Sequence, residues 1–302
     1  MSKFKIALVL GGGGARGLAH LGALKVLQRA NIPIDLIVGT SSGAVVGAMY
    51  AHDQDIAQIE KKLRLAFDTL VNKEFNLEFI ESLDRLNKPG FVNQITSLAR
   101  KLLLNNLVSH RLFLVSTDKV QRLLNILLPD TLIEKTKIPF AAISVDIVRG
   151  KKVVIIEGPI RQGCQASMAI PGIVPPVQKD KQLLVDGGAV CSVPVEEARR
   201  LGADFVIAVE VEPRLRRMSK ISSGLQMIDR ARHLTQLHFS RHLLETADII
   251  VSPRVKNYHW ANFRKVDLFI KMGEIAAEEK IYEIKKKIQR KKWKHFWRNL
   301  IV

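Results

Sequence analysis

The sequence predicts an α/β fold with a mostly parallel central sheet. Residues 5–10 are predicted to form the first strand, and the continuously apolar run at 6–10 is typical of a central parallel strand. Apolar residues then recur at helical spacing from Leu18 to Ala30, and a second apolar run occupies residues 35–38. A strand, a helix and a strand in this order predict a right-handed crossover, which places the two strands side by side.

Helical and extended patterns follow along the rest of the chain. Residues 53–137 are predicted to be an insertion of helices, with apolar stripes at 56–63, 95–103 and 120–127. Apolar runs at 140–148 and 153–156 predict a hairpin, because a short turn containing glycine joins them. The remaining predicted elements are strands at 183–185, 205–211 and 249–251 and long helices at 219–246 and 263–298.

The positive charge is concentrated in the C-terminal third of the chain. The 302 residues carry a formal net charge of +18. Residues 1–213 contain 26 Lys or Arg against 21 Asp or Glu, whereas residues 214–302 contain 21 against 8. Such an excess predicts an anionic partner for the last third, either a membrane surface or nucleic acid.

The cysteines and the apolar runs indicate in which cellular compartment the protein is expected. Cys164 and Cys191 show neither metal-ligand spacing nor a disulfide framework, which favours a reducing compartment. The apolar run at 6–10 is too short for a signal peptide, and no run of about 18 apolar residues is present to span a membrane. We expect a cytoplasmic protein that can still lie on the inner face of a membrane.

A candidate nucleophile follows the second predicted strand. Gly39-Thr40-Ser41-Ser42-Gly43 matches the Gly-x-Ser-x-Gly pattern, with Ser41 at the apex of a strand–turn–helix. Gly39 permits a tight turn, and Gly43 lets the following helix pack closely. The pattern also occurs by chance, and a serine at a helix N-cap is the alternative. The assignment therefore depends on what else the chain supplies.

A glycine run follows the first predicted strand. Residues 11–17, Gly-Gly-Gly-Gly-Ala-Arg-Gly, contain the dinucleotide pattern G-x-G-x-x-G at Gly12, Gly14 and Gly17. A dinucleotide site also needs an acidic residue at the end of the second strand, but Asp35 lies at the start of that strand. The other use of such a loop is as an anion cradle, in which glycine amides hold an oxyanion beside the candidate nucleophile.

Asp186 is the candidate base. It follows a predicted strand and precedes Gly187 and Gly188, and open α/β sheets place their sites at the carboxyl ends of strands. Taken alone, Asp-Gly-Gly is also a common turn signal. In Ser–Asp–His hydrolases the nucleophile follows several strands and the histidine comes last, whereas Ser41 follows only two predicted strands. We therefore expect Ser41 to pair with Asp186. Partial burial would raise the pKa of this aspartate above its usual value.

These three motifs together resemble the patatin-like phospholipases. They are the glycine run at 11–17, Gly-Thr-Ser-Ser-Gly at 39–43 and Asp-Gly-Gly at 186–188, and the segment at 166–171 also matches the family. The resemblance is closest to the bacterial members and to the catalytic domain of the neuropathy target esterase group, and it covers about residues 5–212. It implies a three-layer α/β/α fold.

The resemblance also implies a mechanism. It assigns Ser41 as the nucleophile, Asp186 as the base, and the amides of Gly12, Gly13 and Gly14 as the oxyanion hole, with no metal or other cofactor. The implied substrates are acyl esters of phospholipids or lysophospholipids. The remaining motif residues are Arg16, Gly17, Gly39, Gly43, Gly187 and Gly188.

Three positions leave alternatives open. Arg16 could face a lipid phosphate or form a structural ion pair. Val174 stands where relatives often have phenylalanine, and residues 191–194, Cys-Ser-Val-Pro, stand where many have Asn-Pro-x-Pro. The last two departures bear on substrate range.

We predict a catalytic domain over 1–213, with its helical insertion at about 53–137, and a basic, mainly helical extension over 214–302.

The end of the chain combines aromatic and cationic residues. Trp293, Trp297, Leu300 and Ile301 share one predicted helical face among lysines and arginines. This composition is typical of an interfacial helix on anionic lipid, and equally of a solvated terminal helix whose tryptophans pack on the body. Nucleic acid is not expected, because no groove-reading motif is present. The alternative function is a non-catalytic module that binds anionic lipid or a nucleotide through the glycine loop and basic tail.

Overall fold

The structure is a computed structural model that describes residues 3–71, 113–212, 221, 223–255 and 258–300. Over these residues eight strands form one sheet. The strands are β1 (Ile6–Leu10), β2 (Leu36–Thr40), β3 (Phe140–Asp146), β4 (Lys151–Ile155), β5 (Val177–Lys179), β6 (Gln182–Asp186), β7 (Phe205–Val209) and β8 (Ile249–Val251). The α-helices are α1 (Ala19–Arg29), α2 (Ser42–His52), α3 (Ile56–Ala66), α4 (Thr117–Leu127), α5 (Ile160–Ser167), α6 (Val195–Arg200), α7 (Gly224–Leu244), α8 (Val266–Glu278) and α9 (Ile281–Leu300).

Helices cover both faces of the sheet. Along β1, Ile6, Leu8 and Leu10 belong to the larger core, which also contains buried side chains of α1, α2 and α8. Ala7 and Val9 belong to a smaller core on the other face, which α6 and the last turn of α7 close. This alternation follows from the two-residue period of a strand. The predicted α/β class and the three layers are confirmed.

The centre of the sheet is parallel. β1 pairs in parallel with β2 and with β7, and Leu10 lies opposite Gly39. β3 and β8 extend the parallel part on either side, while β4, β5 and β6 are antiparallel additions. The predicted adjacency of the first two strands is therefore confirmed. It brings the loop after β1 next to the turn after β2.

Strands β2 and β6 occupy the same edge of β3, one after the other. Residues 144–146 pair with both β4 and β6, so these two strands lie on opposite edges of β3. Residues 142–143 pair with both β2 and β4, which puts β2 on the edge that β6 occupies. Thr40, the last residue of β2, pairs with Ile143, and Asp186, the last of β6, pairs with the next residue of β3. The carboxyl ends of β2 and β6 therefore meet.

The predicted insertion at 53–137 is described only at its two ends. α3 begins at a side-chain cap, in which Asp55 accepts the N–H of Gln58 at 3.0 Å. α4 buries the predicted stripe of Val120, Leu123 and its neighbours against the larger core. The predicted stripe at 95–103 lies outside the described residues. The division into a catalytic domain and an extension stays a prediction.

The prediction of a single helix at 263–298 is wrong, because two helices, α8 and α9, occupy this part of the chain. The chain turns at Glu279 and Lys280, where the N–H of Lys280 donates to the carbonyl of Ala277 in a tight turn. Ala277 and Ile284 lie on either side of this turn, and both are buried in the larger core. The break at Glu279 and Lys280 divides the predicted helix into α8 and α9.

α9 lies across the amino end of the sheet, where the parallel strands begin. Lys291 pairs with Asp248 at 2.5 Å and donates to the carbonyl of Asp204 at 3.1 Å, and these two residues directly precede β8 and β7. Among the described helices, none combines the length and the apolar character needed to cross a bilayer.

Candidate active site

Ser41 occupies a strained turn between β2 and α2. Its φ of 54° and ψ of −123° are unusual for serine, and such a conformation costs about 1–3 kcal/mol. Close packing holds the turn, because a Cβ at Gly43 would overlap the carbonyl oxygens of Leu10 and Gly11. Ser41 therefore lies at the carboxyl end of the sheet, where β1, β2 and β7 end.

Ser41 and Asp186 are joined by a hydrogen bond. The Oγ of Ser41 donates to Oδ2 of Asp186 at 2.6 Å, and Oδ1 accepts the N–H of Gly188 at 2.7 Å. Both Ser41 and Asp186 are 7% exposed. Burial raises the pKa of Asp186 from 3.8 to about 6, although both hydrogen bonds favour the carboxylate. The group is therefore a stronger base than a free aspartate and is still mostly ionised at pH 7.

Two further residues, which were not predicted from the sequence, hold the turn. The N–H of Ser41 donates to Oγ of Ser167 at 2.9 Å, and this hydroxyl donates to the carbonyl of Ile143 at 2.6 Å. Thr40 donates from Oγ1 to the carbonyl of Cys191 at 2.9 Å. These bonds connect the turn to β3 and to the segment that follows Asp186. Ser167 lies in the segment at 166–171, and the resemblance of this segment to the family is the signal that could have predicted its role.

The glycine loop supplies two available amides, whereas the sequence predicted three. The N–H of Gly12 donates to the carbonyl of Ser192 at 2.9 Å, so this amide is already engaged, contrary to its predicted role as an oxyanion donor. Within the described chain, the amides of Gly13 and Gly14 donate to no protein group. Gly14 has a φ of 58° and lines the same cavity as Ser41. The loop therefore presents Gly13 and Gly14 as candidate donors.

Arg16 is buried against the glycine loop. It is 7% exposed, and its Nε donates to the carbonyl of Gly13 at 3.2 Å. Burial lowers the pKa of Arg16 from 12.5 to about 10, and the nearby charge of Glu212 opposes this shift. Burial in turn raises the pKa of Glu212. Of the two roles considered for Arg16, this geometry favours the structural cation.

The buried histidine of α1 supports the loop and does not contact the Ser41–Asp186 pair. Nε2 of His20 donates to the carbonyl of Gly11 at 2.7 Å, and His20 is fully buried. Burial lowers the pKa of His20 from 6.5 to about 4, so the ring is neutral at pH 7. Among the described residues, no histidine makes a hydrogen bond to Ser41 or Asp186.

The other motif residues serve close packing around the turn. A Cβ at Gly39 would lie 2.5 Å from Cα of Ala44, and a Cβ at Gly17 would overlap the side chain of Ser42. A Cβ at Gly187 would overlap the backbone of β3. The glycine pattern thus brings the loop, the turn and the segment after β6 into direct contact.

An apolar cavity of about 110 Å³ adjoins Ser41. Its lining is almost entirely hydrocarbon and includes Val174. Ser42 also lines the cavity, and its hydroxyl has no hydrogen-bond partner among the described residues. An apolar cavity of this size suits a length of hydrocarbon chain. Other lining residues include Val45, Leu63, Phe67, Leu123, Ile170 and Trp260.

Comparisons with known proteins identify a family and several relatives. The family described as Patatin-like phospholipase matches residues 8–199, which include Ser41 and Asp186. Patatin-like phospholipase domain-containing protein 6 of Homo sapiens is 33% identical over 210 residues, which are 68% of this chain and 13% of that protein. Neuropathy target esterase sws of Drosophila melanogaster is 33% identical over 208 residues, which are 68% of this chain and 13% of that protein.

Two further similarities complete the comparison. Lysophospholipase nte1 of Aspergillus fumigatus is 30% identical over 206 residues, which are 68% of this chain and 12% of that protein. The chain therefore spans only about an eighth of the length of these relatives. The crystal structure of VipD from Legionella pneumophila has a TM-score of 0.46 and 13% identity, and the match covers 93% of this chain and 67% of that one. Because the family match at 8–199 spans more than half of the residues, the chain belongs to the patatin-like phospholipase family.

Proposed function

We propose that this protein is a serine lipid acyl hydrolase that cleaves carboxylic esters of phospholipids or lysophospholipids. The observation that carries the proposal is the 2.6 Å hydrogen bond from Ser41 to Asp186 beside an apolar cavity. A serine hydroxyl needs a base within hydrogen-bond reach to act as a nucleophile, and Asp186 is such a base. The names of the relatives, which include a lysophospholipase and an esterase, support the same class of reaction.

The first half of the reaction forms an acyl-enzyme. Asp186 takes the proton of Ser41 as Oγ attacks the ester carbonyl carbon. The carbonyl oxygen becomes a tetrahedral oxyanion, which the amides of Gly13 and Gly14 stabilise. When the intermediate collapses, the bond to the alcohol oxygen breaks, and Asp186 returns its proton to that oxygen. The alcohol part of the lipid leaves, and the acyl group stays on Ser41.

The second half repeats these steps with water. Asp186 takes a proton from a water molecule, whose oxygen attacks the acyl carbonyl carbon. The second oxyanion uses the same two amides, and its collapse breaks the bond to Oγ of Ser41. The proton on Asp186 returns to Ser41, and a fatty acid leaves. Because Asp186 is still mostly ionised at pH 7, each cycle can begin without a further proton acceptor.

The cavity supports an acyl chain as the group that is bound. Burying apolar surface contributes about 25 cal/mol per Å², so a hydrocarbon chain gains affinity along such walls. A nucleotide would bring phosphate and ribose groups to a surface that offers them almost no polar partners. The cavity therefore favours the hydrolase over the alternative of a nucleotide-binding module.

The proposal is tested by replacing the nucleophile. Ser41→Ala should lower hydrolysis of a soluble ester by about 10⁴-fold, by analogy with other serine hydrolases. Ser116→Ala is the matched control, because Ser116 is exposed and its side chain makes no cap hydrogen bond. A fluorophosphonate probe should label the wild type and the control but not Ser41→Ala. Unchanged hydrolysis by Ser41→Ala would rule out the mechanism.

A peripheral membrane contact through α9 is a second part of the proposal. Trp293 and Trp297 are 66% and 44% exposed among lysines and arginines, as in helices that bind anionic lipid. The free, buried cysteines Cys164 and Cys191 suit the cytoplasmic side of a membrane. Trp293→Ser combined with Trp297→Ser should weaken sedimentation with anionic vesicles. If the double variant sediments with anionic vesicles as fully as the wild type, α9 does not make the membrane contact.

A further inference from the structure

The helix α7 is exposed over most of its length. From Gly224 to Phe239, every described side chain is exposed or half-buried, and burial begins only at Ser240. The last turn alone joins the smaller core of the sheet, through Leu243 and Leu244. Because burial among the described side chains of this 21-residue helix is confined to the last turn, the helix has a free surface several turns long.

This free part lies at the same end of the sheet as Ser41. β8 is parallel to β7, so α7 must return the chain from the carboxyl end of the sheet to the amino end. Ser240 is already level with the glycine loop, because its Oγ lies 2.7 Å from Oγ of Ser192, whose carbonyl accepts the N–H of Gly12. The 16 residues before it therefore form about 24 Å of helix on the carboxyl side of that level, at 1.5 Å per residue.

The free part presents large apolar side chains to water. Met227 and Leu234 are 59% and 41% exposed, and their spacing puts them on the side of the helix away from Leu243. Ile228 is 67% exposed and lies between these two sides. Phe239 is 48% exposed. Exposed apolar side chains that cluster in this way mark an interaction surface. The sequence leading into the helix, residues 214–220, contains four Lys or Arg and no acidic residue.

We propose that residues 224–239 of α7 dock the protein on an anionic lipid bilayer. The apolar side chains enter the boundary between headgroups and acyl chains, and the excess positive charge of residues 214–302 attracts the anionic headgroups. This inference rests on the proposed function, because a lipid substrate has to pass from a bilayer to Ser41. α9 lies at the opposite end of the sheet, so a contact through α9 cannot present Ser41 to the same bilayer.

A dye at position 228 tests the docking without reference to activity. In the Ile228→Cys variant, an environment-sensitive thiol dye reports on position 228, because Cys164 and Cys191 are both fully buried. The matched control is Glu245→Cys, which lies just beyond the other end of α7, about 25 Å away along the helix axis. Vesicles that contain phosphatidylglycerol should shift the emission to the blue at position 228 and leave it unchanged at position 245. Vesicles of phosphatidylcholine alone should shift it much less.

Three outcomes would overturn the inference. The first is an unchanged emission at position 228 with anionic vesicles, and the second is an equal shift at both positions. The third is a blue shift that appears without vesicles as the protein concentration rises, which would identify a second copy of the chain as the occupant. These readings hold even if the protein hydrolyses no ester, so failure of the docking and failure of the proposed function are distinguishable.

A kinetic ratio tests the consequence for substrate access. Met227→Ser, Ile228→Ser and Leu234→Ser are combined in one variant, and its circular dichroism should match that of the wild type. The ratio of vesicle-lipid hydrolysis to soluble-ester hydrolysis should fall at least tenfold. The double variant at Trp293 and Trp297 is the comparison, and its ratio should stay within twofold of the wild type. An unchanged ratio in the α7 variant would contradict docking through this helix.

Discussion

Asp186→Asn should stabilise the folded protein above neutral pH while it removes activity. Burial raises the pKa of Asp186 from 3.8 to about 6, which means that the folded state resists the charged form of this side chain. Asparagine has nearly the same shape and no charge. Its carbonyl oxygen can accept the N–H of Gly188, and its amide can donate to the Oγ of Ser41. The substitution therefore removes the buried charge without leaving these groups unpaired.

The magnitude follows from the difference between the folded and unfolded pKa values. About two pKa units correspond to roughly 3 kcal/mol, at 1.36 kcal/mol per unit. Between about pH 4 and 6 the folded wild type holds more protons at this site than the unfolded chain. This site therefore lowers the free energy of unfolding as the pH rises through that window. The asparagine variant does not lose stability in this way. The difference between its free energy of unfolding and that of the wild type should therefore grow from pH 4 and reach roughly 3 kcal/mol above pH 7.

Urea unfolding at several pH values, followed by tryptophan fluorescence, measures this difference. Other carboxylates titrate equally in both proteins, so the difference between the two unfolding curves isolates Asp186. Hydrolysis of a soluble ester by the same samples should be lost in the variant. A stability difference that does not change between pH 4 and 8 would refute the argument that Asp186 carries a raised pKa.

Three other predictions concern the same site. The kcat/KM for a soluble ester should fall about tenfold per pH unit below pH 6 and level off above pH 7, because Asp186 must be ionised. Ser167→Ala should lower the free energy of unfolding by about 1–3 kcal/mol and reduce activity, since the buried N–H of Ser41 loses its acceptor. Gly43→Ala should lower the melting temperature sharply, because its Cβ would overlap the carbonyl of Leu10. Gly224→Ala is its control, since a Cβ there meets no described atom within 4 Å.

Each of these has a clear contrary result. A pH profile that is flat down to pH 5 would mean that another group accepts the proton. Normal stability of Ser167→Ala would mean that a water molecule or a small shift replaces the lost acceptor. Equal melting temperatures for Gly43→Ala and Gly224→Ala would show that α2 can move away from the end of β1.

The strand–turn–helix around Ser41 was predictable because the features that identify it are local. The strand, the turn and the helix that present Ser41 are contiguous, and glycines two positions away on each side suffice to mark the turn. The adjacency of β1 and β2 was also predictable, because the handedness of a strand–helix–strand crossover leaves few alternatives. The family resemblance then connected this turn to the glycine run and to Asp186.

Asp186 was predicted by a rule that does not describe its actual position. The rule concerns the carboxyl ends of parallel strands, but β6 is antiparallel to β3. Asp186 reaches Ser41 because β6 continues the edge of β3 at the point where β2 ends. This register depends on pairings between distant segments, which no local pattern encodes. The same limit applies to Gly12, whose amide bonds to Ser192, far along the chain.

The C-terminal third shows most clearly what composition leaves undecided. An excess of lysine and arginine with exposed tryptophans predicts an anionic partner, and the sequence directed attention to the last helix. The position of each helix relative to the sheet decides what such a partner could do. α9 crosses the amino end of the sheet, whereas the free part of α7 extends beyond the carboxyl end, where Ser41 lies. Only the contact through α7 would place a bilayer beside Ser41. We therefore expect substitutions in α9 to weaken binding to vesicles, and substitutions in α7 to lower the hydrolysis of vesicle lipids.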